Sequence, residues 1–358
     1  MPKIEKMSRE IFVERFKKSV DSNTLVFLSQ GADYRLGLSN FMDEKQWISE
    51  ISPNPTIESI SKVCAKLNGT IEKIIAIGGG STIDTAKAII ALFGMLNDDC
   101  SITDIIEDKL YLNNNFRVKK FIAVPTTSGT GSEVTQWATV WDNHRKLKLS
   151  VDAEWLMPTD VWLVPELTVS LTKRQTLSTG LDAFVQAFEA YWARKSDSLA
   201  RALAVQAVTV IHEYLPLAIK NGQDLEAREE MQTGSLLAGL AFSRTGTTAC
   251  HSISYPITAL FGVEHGFAVA LTLVQVAKRN IAAVDCKKLL DAVGSLEYLH
   301  SWLDGLCANI QPLRLSAFGI VADDIPLIAK RAFTVGRMDN NPVIFLEADV
   351  TNILGEVI

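Results

Sequence analysis

The chain has 358 residues, enough to bury a large apolar core and to form two domains of ordinary size. Its 47% hydrophobic and 21% charged residues exclude a largely disordered chain. The formal net charge is -6, with Lys and Arg scattered rather than striped, which argues against a nucleic-acid partner and for a small-molecule ligand.

The opening stretch, MPKIEKMSREIFVERFKK, alternates charged and apolar residues and lacks the apolar core of a secretory signal. No later window approaches the roughly 18 uninterrupted apolar residues of a membrane helix. The expectation is a cytoplasmic protein with no membrane partner. The five cysteines, Cys64, Cys100, Cys250, Cys286 and Cys307, are unclustered and form no CxxC pair. That spacing argues against a disulfide framework and a thiolate zinc site, and predicts reduced, mostly core-filling side chains.

From residue 20 to about 170, short apolar runs are each followed by a turn signal and a helical pattern. Leu25–Leu28, Ile74–Ile77 and Phe121–Val124 read as buried parallel strands, and Thr82–Phe93 as a crossover helix. This predicts a doubly wound α/β domain over residues 1–167. Beyond Leu167 the texture changes to Ala- and Leu-rich helical segments: Gln175–Arg194, Ser198–Ile219, Leu225–Ala241, Cys250–Leu260 and Phe267–Arg279. An all-α domain is therefore expected over 168–358, packed directly on the first with a ligand-binding cleft between them.

The strand at Ile74–Ile77 runs into Gly78-Gly79-Gly80-Ser81, and Thr82 to Lys87 then opens a helix. Glycines permit close backbone approach, and a helix amino terminus favours phosphate, so the segment can cradle a pyrophosphate. Ser81 and Asp84 also have capping-box spacing, so a plain strand-to-helix turn explains GGGS equally well. The strand at Phe121–Val124 ends in Pro125-Thr126-Thr127-Ser128-Gly129-Thr130-Gly131-Ser132-Glu133. So many hydroxyls at the carboxyl end of a parallel strand offer donors to phosphate and ribose oxygens. The GK[ST] ending of a P-loop is absent, and so is the GxGxxG of a Rossmann turn.

Asp182 and Gln186 lie four apart in a helical stretch and share a face. His251 begins HSISYP, and His265 follows in VEHG. A carboxylate with imidazoles suits Fe²⁺, Zn²⁺ or a similar divalent ion with an open position for a substrate oxygen. Structural, hydrogen-bonded histidines fit the spacing as well, because it matches no local metal motif.

GGGSTIDTAK, PTTSGTGSE, the segment around Asp182 and CHSISYP followed by GVEHG together resemble the iron-containing (group III) alcohol dehydrogenase family. They occur in order over nearly the whole chain. The resemblance implies a dehydroquinate synthase-like fold and NAD(P)-dependent interconversion of a small alcohol and an aldehyde or ketone. It also implies cofactor contacts from Gly79, Gly80, Ser81, Asp84, Thr126, Thr127, Thr130 and Lys148. Asp182, His251 and His265 match the family's metal ligands, with His251 and His265 also at the catalytic centre; a homodimer is compatible.

Two positions depart from the family. Gln186 stands where the pattern DxxxH has His and offers only a neutral amide oxygen, a weaker transition-metal ligand than imidazole. That predicts lower affinity, a changed metal preference, or a metal-free site like that of the maleylacetate reductases. Tyr255 stands where many members have a proton-transferring His, and the HSxSYPxT pattern is similar to the phosphonoacetaldehyde reductase-like branch. With an ordinary pKa of about 10, a tyrosine relays protons less readily at neutral pH. Arg244, seven residues before His251, is a candidate for an anionic substrate group. The resemblance also implies that coenzyme choice depends on an acidic residue just after the first strand; Leu28-Ser29-Gln30-Gly31 offers no carboxylate before Asp33, so NADP is expected, with NAD the alternative. The rival activity is a dehydroquinate synthase-like lyase, which needs more cations around its substrate than these motifs supply.

Overall fold

A computed structural model describes residues 1–67, 69–95 and 101–358, so Cys100 lies outside the described residues. The chain divides into two compact units. One comprises Met1–Thr127 with Ser132–Thr168, the other Ser128–Gly131 with Val169–Ile358. The loop Ser128–Gly131 thus belongs to the second unit although its flanks belong to the first, an exchange that no contiguous boundary describes.

The first unit runs β1 (Lys3–Lys6), α1 (Arg9–Ser19), β2 (Thr24–Leu28), α2 (Gln30–Leu36), β3 (Trp47–Ile48), α3 (Ile57–Lys66), β4 (Lys73–Gly78) and α4 (Gly80–Leu92). It continues with α5 (Ile102–Glu107), β5 (Lys120–Pro125), β6 (Trp137–Asp142), β7 (Leu147–Asp152) and β8 (Asp160–Leu163). Six strands form one parallel sheet in the order β1-β8-β5-β4-β2-β3.

The continuous apolar runs follow from burial on both faces. Leu25, Phe27, Ile74, Ala76, Phe121 and Ala123 pack with Ile60, Val63, Ile83, Ala86 and Ile105 of the helices on one side. Val26, Leu28, Ile75, Ile77, Ile122 and Val124 pack with Phe12, Phe16 and Ala32 on the other. Burying each Leu, Ile, Val or Phe side chain among them contributes about 1.5–3 kcal/mol.

The connectivity fixes where a ligand can sit. From β2 the chain goes outward to β3, then returns across β2 to β4 and continues to β5. The connections therefore diverge at the carboxyl ends of β2 and β4, the crevice in which doubly wound sheets bind nucleotides. Those ends are tied together, the Ser29 amide donating to the Ile77 carbonyl at 2.9 Å.

The first unit also holds elements beyond the expected strands. β1 pairs with β8, and β6 pairs with β7 as an antiparallel hairpin outside the main sheet. Lys148 lies in that hairpin, opposite Trp141.

The second unit is helical: α6 (Lys173–Trp192), α7 (Ser198–Lys220), α8 (Leu225–Thr245), α9 (Ala249–Phe261), α10 (His265–Ala270), α11 (Leu273–Asn280), α12 (Lys287–Asp291), α13 (Leu296–Cys307), α14 (Ile325–Arg331) and α15 (Glu347–Gly355). Thr172 and Gln175 form a reciprocal capping box that starts α6. α7 is long and apolar enough to cross a membrane by length and composition, with a mean hydropathy of 1.5 in its best window. Here its apolar stripe packs against α6 and α8.

The helix expected over Phe267–Arg279 is two helices, because Thr272 (φ -106°, ψ 0°) leaves helical backbone and starts α11 afresh. Cys64, Cys250, Cys286 and Cys307 are all free, the last three buried.

Candidate functional site

α6 carries an unusual set of buried polar residues. Asp182 and Gln186, one turn apart, are 4% and 3% exposed, and Glu189 is fully buried. Asp182 meets the two histidines that the sequence places far from it. Its Oδ1 lies 3.4 Å from His251 Nε2 and 4.0 Å from His265 Nε2, and one ligand atom from each of the three falls within 4.8 Å of the others. The Gln186 side-chain oxygen is buried and makes no hydrogen bond among the described residues. A buried carbonyl oxygen without a donor normally costs about 1–3 kcal/mol, so a positive ligand there would satisfy it.

Glu189 was not a sequence candidate, yet it orients the site. Its carboxylate accepts from the His251 ring Nδ1, from Thr248 Oγ1 at 3.0 Å and from the His251 amide at 3.2 Å. Trp192 Nε1 donates to Thr248 Oγ1 at 3.0 Å and holds that hydroxyl in place. The carboxylate also takes up a free N–H of the first turn of α9 and places negative charge at its positive end.

With Nδ1 donating to Glu189, Nε2 of His251 faces Asp182, and a carboxylate behind the far ring nitrogen is the arrangement found at metal-bound imidazoles. Burial would push the His251 imidazole down, but Glu189, with Asp182 adding to it, raises it to about 10. A divalent ion at Nε2 would displace the proton held there. Burial likewise pushes Glu189 up, and His251 and Thr248 outweigh it to hold the carboxyl below its usual range.

His265 reaches the same point through a backbone contact. A side-chain carbon on Gly266 would stand 1.8 Å from the Ser178 carbonyl oxygen, so only glycine lets the start of α10 lie against α6. Ser178 is one turn before Asp182, and the contact brings His265 within reach of it. Ser254 Oγ approaches His265 Nδ1 at 3.5 Å, and the Tyr255 ring stacks on the His265 ring with centroids 6.0 Å apart. Tyr255 is 7% exposed. Arg244 lies elsewhere: α8 ends at Thr245, so Arg244 and His251 are on different helices, and Arg244 Nη2 pairs with Asp197 Oδ2 at 2.5 Å on the surface.

In the first unit the two expected loops converge. Gly78 and Pro125 are register partners at the ends of β4 and β5, and the Thr126 amide donates to the Gly78 carbonyl at 3.0 Å. A side-chain carbon on Gly79 would meet Thr127 Cγ2 at 3.1 Å, so Gly79 leaves the space over the start of α4 open.

Gly79, not Ser81, is the N-cap of α4 and makes no side-chain cap, so the capping-box reading of Ser81 and Asp84 is wrong. Ser81 Oγ instead accepts the Asn54 amide at 3.1 Å. Asp84 is turned inward. Its oxygens accept from Ser132 Oγ and from the Thr139 amide at 2.9 Å. Burial raises the Asp84 carboxyl, against Lys87 and Lys148, whose charges lower it. Thr130 lies in the loop that belongs to the second unit.

Lys87, fully buried, escaped the sequence reading. Its ammonium donates to the carbonyls of Ser132 (2.6 Å), Thr135 (2.7 Å) and Trp137 (2.9 Å), tying α4 to the segment that follows the hydroxyl-rich loop. Burial pushes it down to about 8, against the charges of Asp84 and Glu133. Burial pushes the neighbouring Glu133 up to about 7 in spite of Lys87.

Residues 26–165 match the description "iron-containing alcohol dehydrogenase", and residues 176–358 match "Fe-containing alcohol dehydrogenase family, C-terminal". The chain belongs to the iron-containing alcohol dehydrogenase family. It is 33% identical to the NAD-dependent methanol dehydrogenase of Bacillus methanolicus over 79% of this chain and 76% of that one. To the NADPH-dependent butanol dehydrogenase of Clostridium saccharobutylicum it is 33% identical over 92% and 90%.

Among solved structures, an iron-containing alcohol dehydrogenase from Thermotoga maritima superposes with a TM-score of 0.83 at 26% identity, covering 99% of this chain and 97% of that one. Sulfoacetaldehyde reductase from Bifidobacterium kashiwanohense, in complex with NAD+, superposes at 0.85 and 24% identity over 99% and 96%. This iron-type dehydrogenase therefore has the dehydroquinate synthase-like fold, a parallel-sheet domain and a helical one. It is an NAD(P)-dependent oxidoreductase acting on CH–OH groups. The Asp182, His251 and His265 donors and the undonated oxygen of Gln186 fit a divalent cation.

Proposed function

We propose that the chain is an NADPH-preferring reductase of small aldehydes that holds a divalent metal, Fe²⁺ or Zn²⁺, on Asp182, Gln186, His251 and His265. The observation carrying this reading is the convergence of three donor side chains within 4.8 Å beside a buried amide oxygen that has no donor. The cofactor-binding set is Gly79, Gly80, Ser81, Thr126, Thr127, Thr130 and Lys148, with Asp84 acting from behind, since its carboxylate is engaged by Ser132 and Thr139. On this reading the first unit is the nucleotide-binding domain and the second the metal and substrate domain.

When bound, the coenzyme supplies hydride and the metal polarises the carbonyl oxygen. The chain's own contribution is orientation and proton handling. Glu189 fixes the His251 tautomer, and Gly266 seats His265. Tyr255, stacked on His265, donates the proton that the reduced oxygen gains, and solvent replaces it.

The HSISYPIT sequence resembles the phosphonoacetaldehyde reductase-like branch, and the solved sulfoacetaldehyde reductase shares the fold, so the substrate class includes two-carbon aldehydes with an anionic head. Arg244 is engaged by Asp197 and does not serve that head. A screen of NADPH oxidation against acetaldehyde, propanal, butanal and phosphonoacetaldehyde, with Fe²⁺ or Zn²⁺ supplied, tests the reading. Steady aldehyde-dependent oxidation is expected. Tight dinucleotide binding with no turnover of any aldehyde would contradict it.

A further inference from the structure

We infer that Arg35 is the residue that reads the 2′-phosphate of NADPH. The inference rests on the coenzyme preference proposed above and names the group that enforces it.

Arg35 lies near the carboxyl end of α2, the helix entered directly from β2, and β2 flanks the point where the strand connections diverge. Its side chain folds back over the start of that helix: a side-chain carbon on Gly31 would stand 3.2 Å from Arg35 Nη1. The guanidinium thus lies against Gly31 in the first turn of α2, next to Ser29, the residue that follows β2. In sheets of this class the residues just beyond that strand meet the adenosine ribose, through a carboxylate for a 2′-hydroxyl or an arginine for a 2′-phosphate. Here Ser29-Gln30-Gly31 contains no acid.

The guanidinium is also uncommitted. Its one hydrogen bond runs from Nη2 to the Leu167 carbonyl at 3.5 Å, the long limit for such a contact. Among the described residues no carboxylate lies within ion-pair distance of it. Asp33, the acid nearest in sequence, accepts the Ser39 amide at 2.9 Å on Oδ1 and the Ser39 hydroxyl at 2.7 Å on Oδ2. That pairing anchors the turn after α2. A planar guanidinium with unused donors matches a phosphate dianion in a way that neither a 2′-hydroxyl nor the bare adenosine does.

The test is binding of NADPH, NADH, 2′,5′-ADP and 5′-AMP to the full-length protein and to its Arg35→Ala and Arg35→Lys variants. Nicotinamide fluorescence and calorimetry give the affinities, and thermal unfolding checks that the variants fold. Arg35→Ala is expected to weaken NADPH and 2′,5′-ADP by about 10- to 100-fold, the loss of one charge-assisted bidentate contact. NADH and 5′-AMP should stay within about twofold, since they lack the group read. Arg35→Lys should recover part of the loss. Wild-type preference for NADPH that survives Arg35→Ala, or an equal loss for both coenzymes, overturns the role of Arg35 and leaves the coenzyme reading standing. Wild-type protein that binds NADH as tightly as NADPH overturns the coenzyme reading and the inference together.

Discussion

Gly266 and Ser178 touch backbone to backbone, with 1.8 Å between the Ser178 carbonyl oxygen and the place a Gly266 side chain would start. This contact, rather than any property of His265 itself, sets the distance between His265 and Asp182. Gly266→Ala must move α10 away from α6. Overpacking of this kind costs about 1–3 kcal/mol or more. The expected outcome is a lowered melting temperature and, in the fraction that stays folded, loss of bound metal, measured by thermal unfolding and metal analysis of the same sample.

Glu189 acts behind His251. Replacing it by Gln keeps an acceptor near Nδ1 but removes the charge that holds the ring. Changes to such partners typically cost about 10- to 100-fold in metal affinity. Competition with a chromophoric chelator measures this directly, and an affinity equal to wild type would show that Glu189 serves folding alone.

Gln186 has the opposite expectation. Imidazole is a better transition-metal ligand than an amide oxygen. Gln186→His should therefore tighten Fe²⁺ and Zn²⁺ binding by at least about tenfold, on the order of 1.4 kcal/mol. Gln186→Ala should weaken both. Unchanged affinity in both variants would place Gln186 outside the coordination sphere.

Glu133 and Lys87 give a pH dependence of stability. The Glu133 carboxyl is raised from 4.5 to about 7, so its contribution is fully present below pH 4.5 and lost as pH rises through 7. Lys87 is lowered from 10.5 to about 8, so its contribution is present above pH 10.5 and lost as pH falls through 8. Glu133→Gln should remove the first dependence, worth on the order of 3 kcal/mol, between pH 4.5 and 7. Denaturant unfolding of both proteins across that range is the measurement, and parallel pH profiles would contradict it.

Much of the fold was legible because burial on both faces leaves continuous apolar runs, as in IIAI and FIAV, that few other environments produce. β1, Lys-Ile-Glu-Lys, was not legible: it is a short edge strand flanked by charge. β7, Leu-Lys-Leu-Ser-Val-Asp, carries a visible two-residue alternation, but it packs in a hairpin outside the main sheet, where the expected βα rhythm gave no place for it.

At the site, residue types identified Asp182, His251 and His265, while their convergence depends on helix contacts such as Gly266 on Ser178 that no local spacing encodes. Glu189 did leave a signal. It is an acid two turns beyond Asp182 on the same helix, set between Phe188 and Tyr191 where an unpaired charge would be costly. Lys87 left a similar one, a cation within the buried run Thr85–Leu92.

On the proposed reading, Asp182, Gln186, His251 and His265 hold one divalent ion needed for turnover. Metal analysis of protein purified without chelators and reconstituted with Fe²⁺ or Zn²⁺, alongside Asp182→Ala and His265→Ala, tests it most directly. Close to one equivalent per chain is expected in the wild type, with metal and aldehyde reduction lost together in both folded variants. Metal content and turnover unchanged in both variants would contradict it.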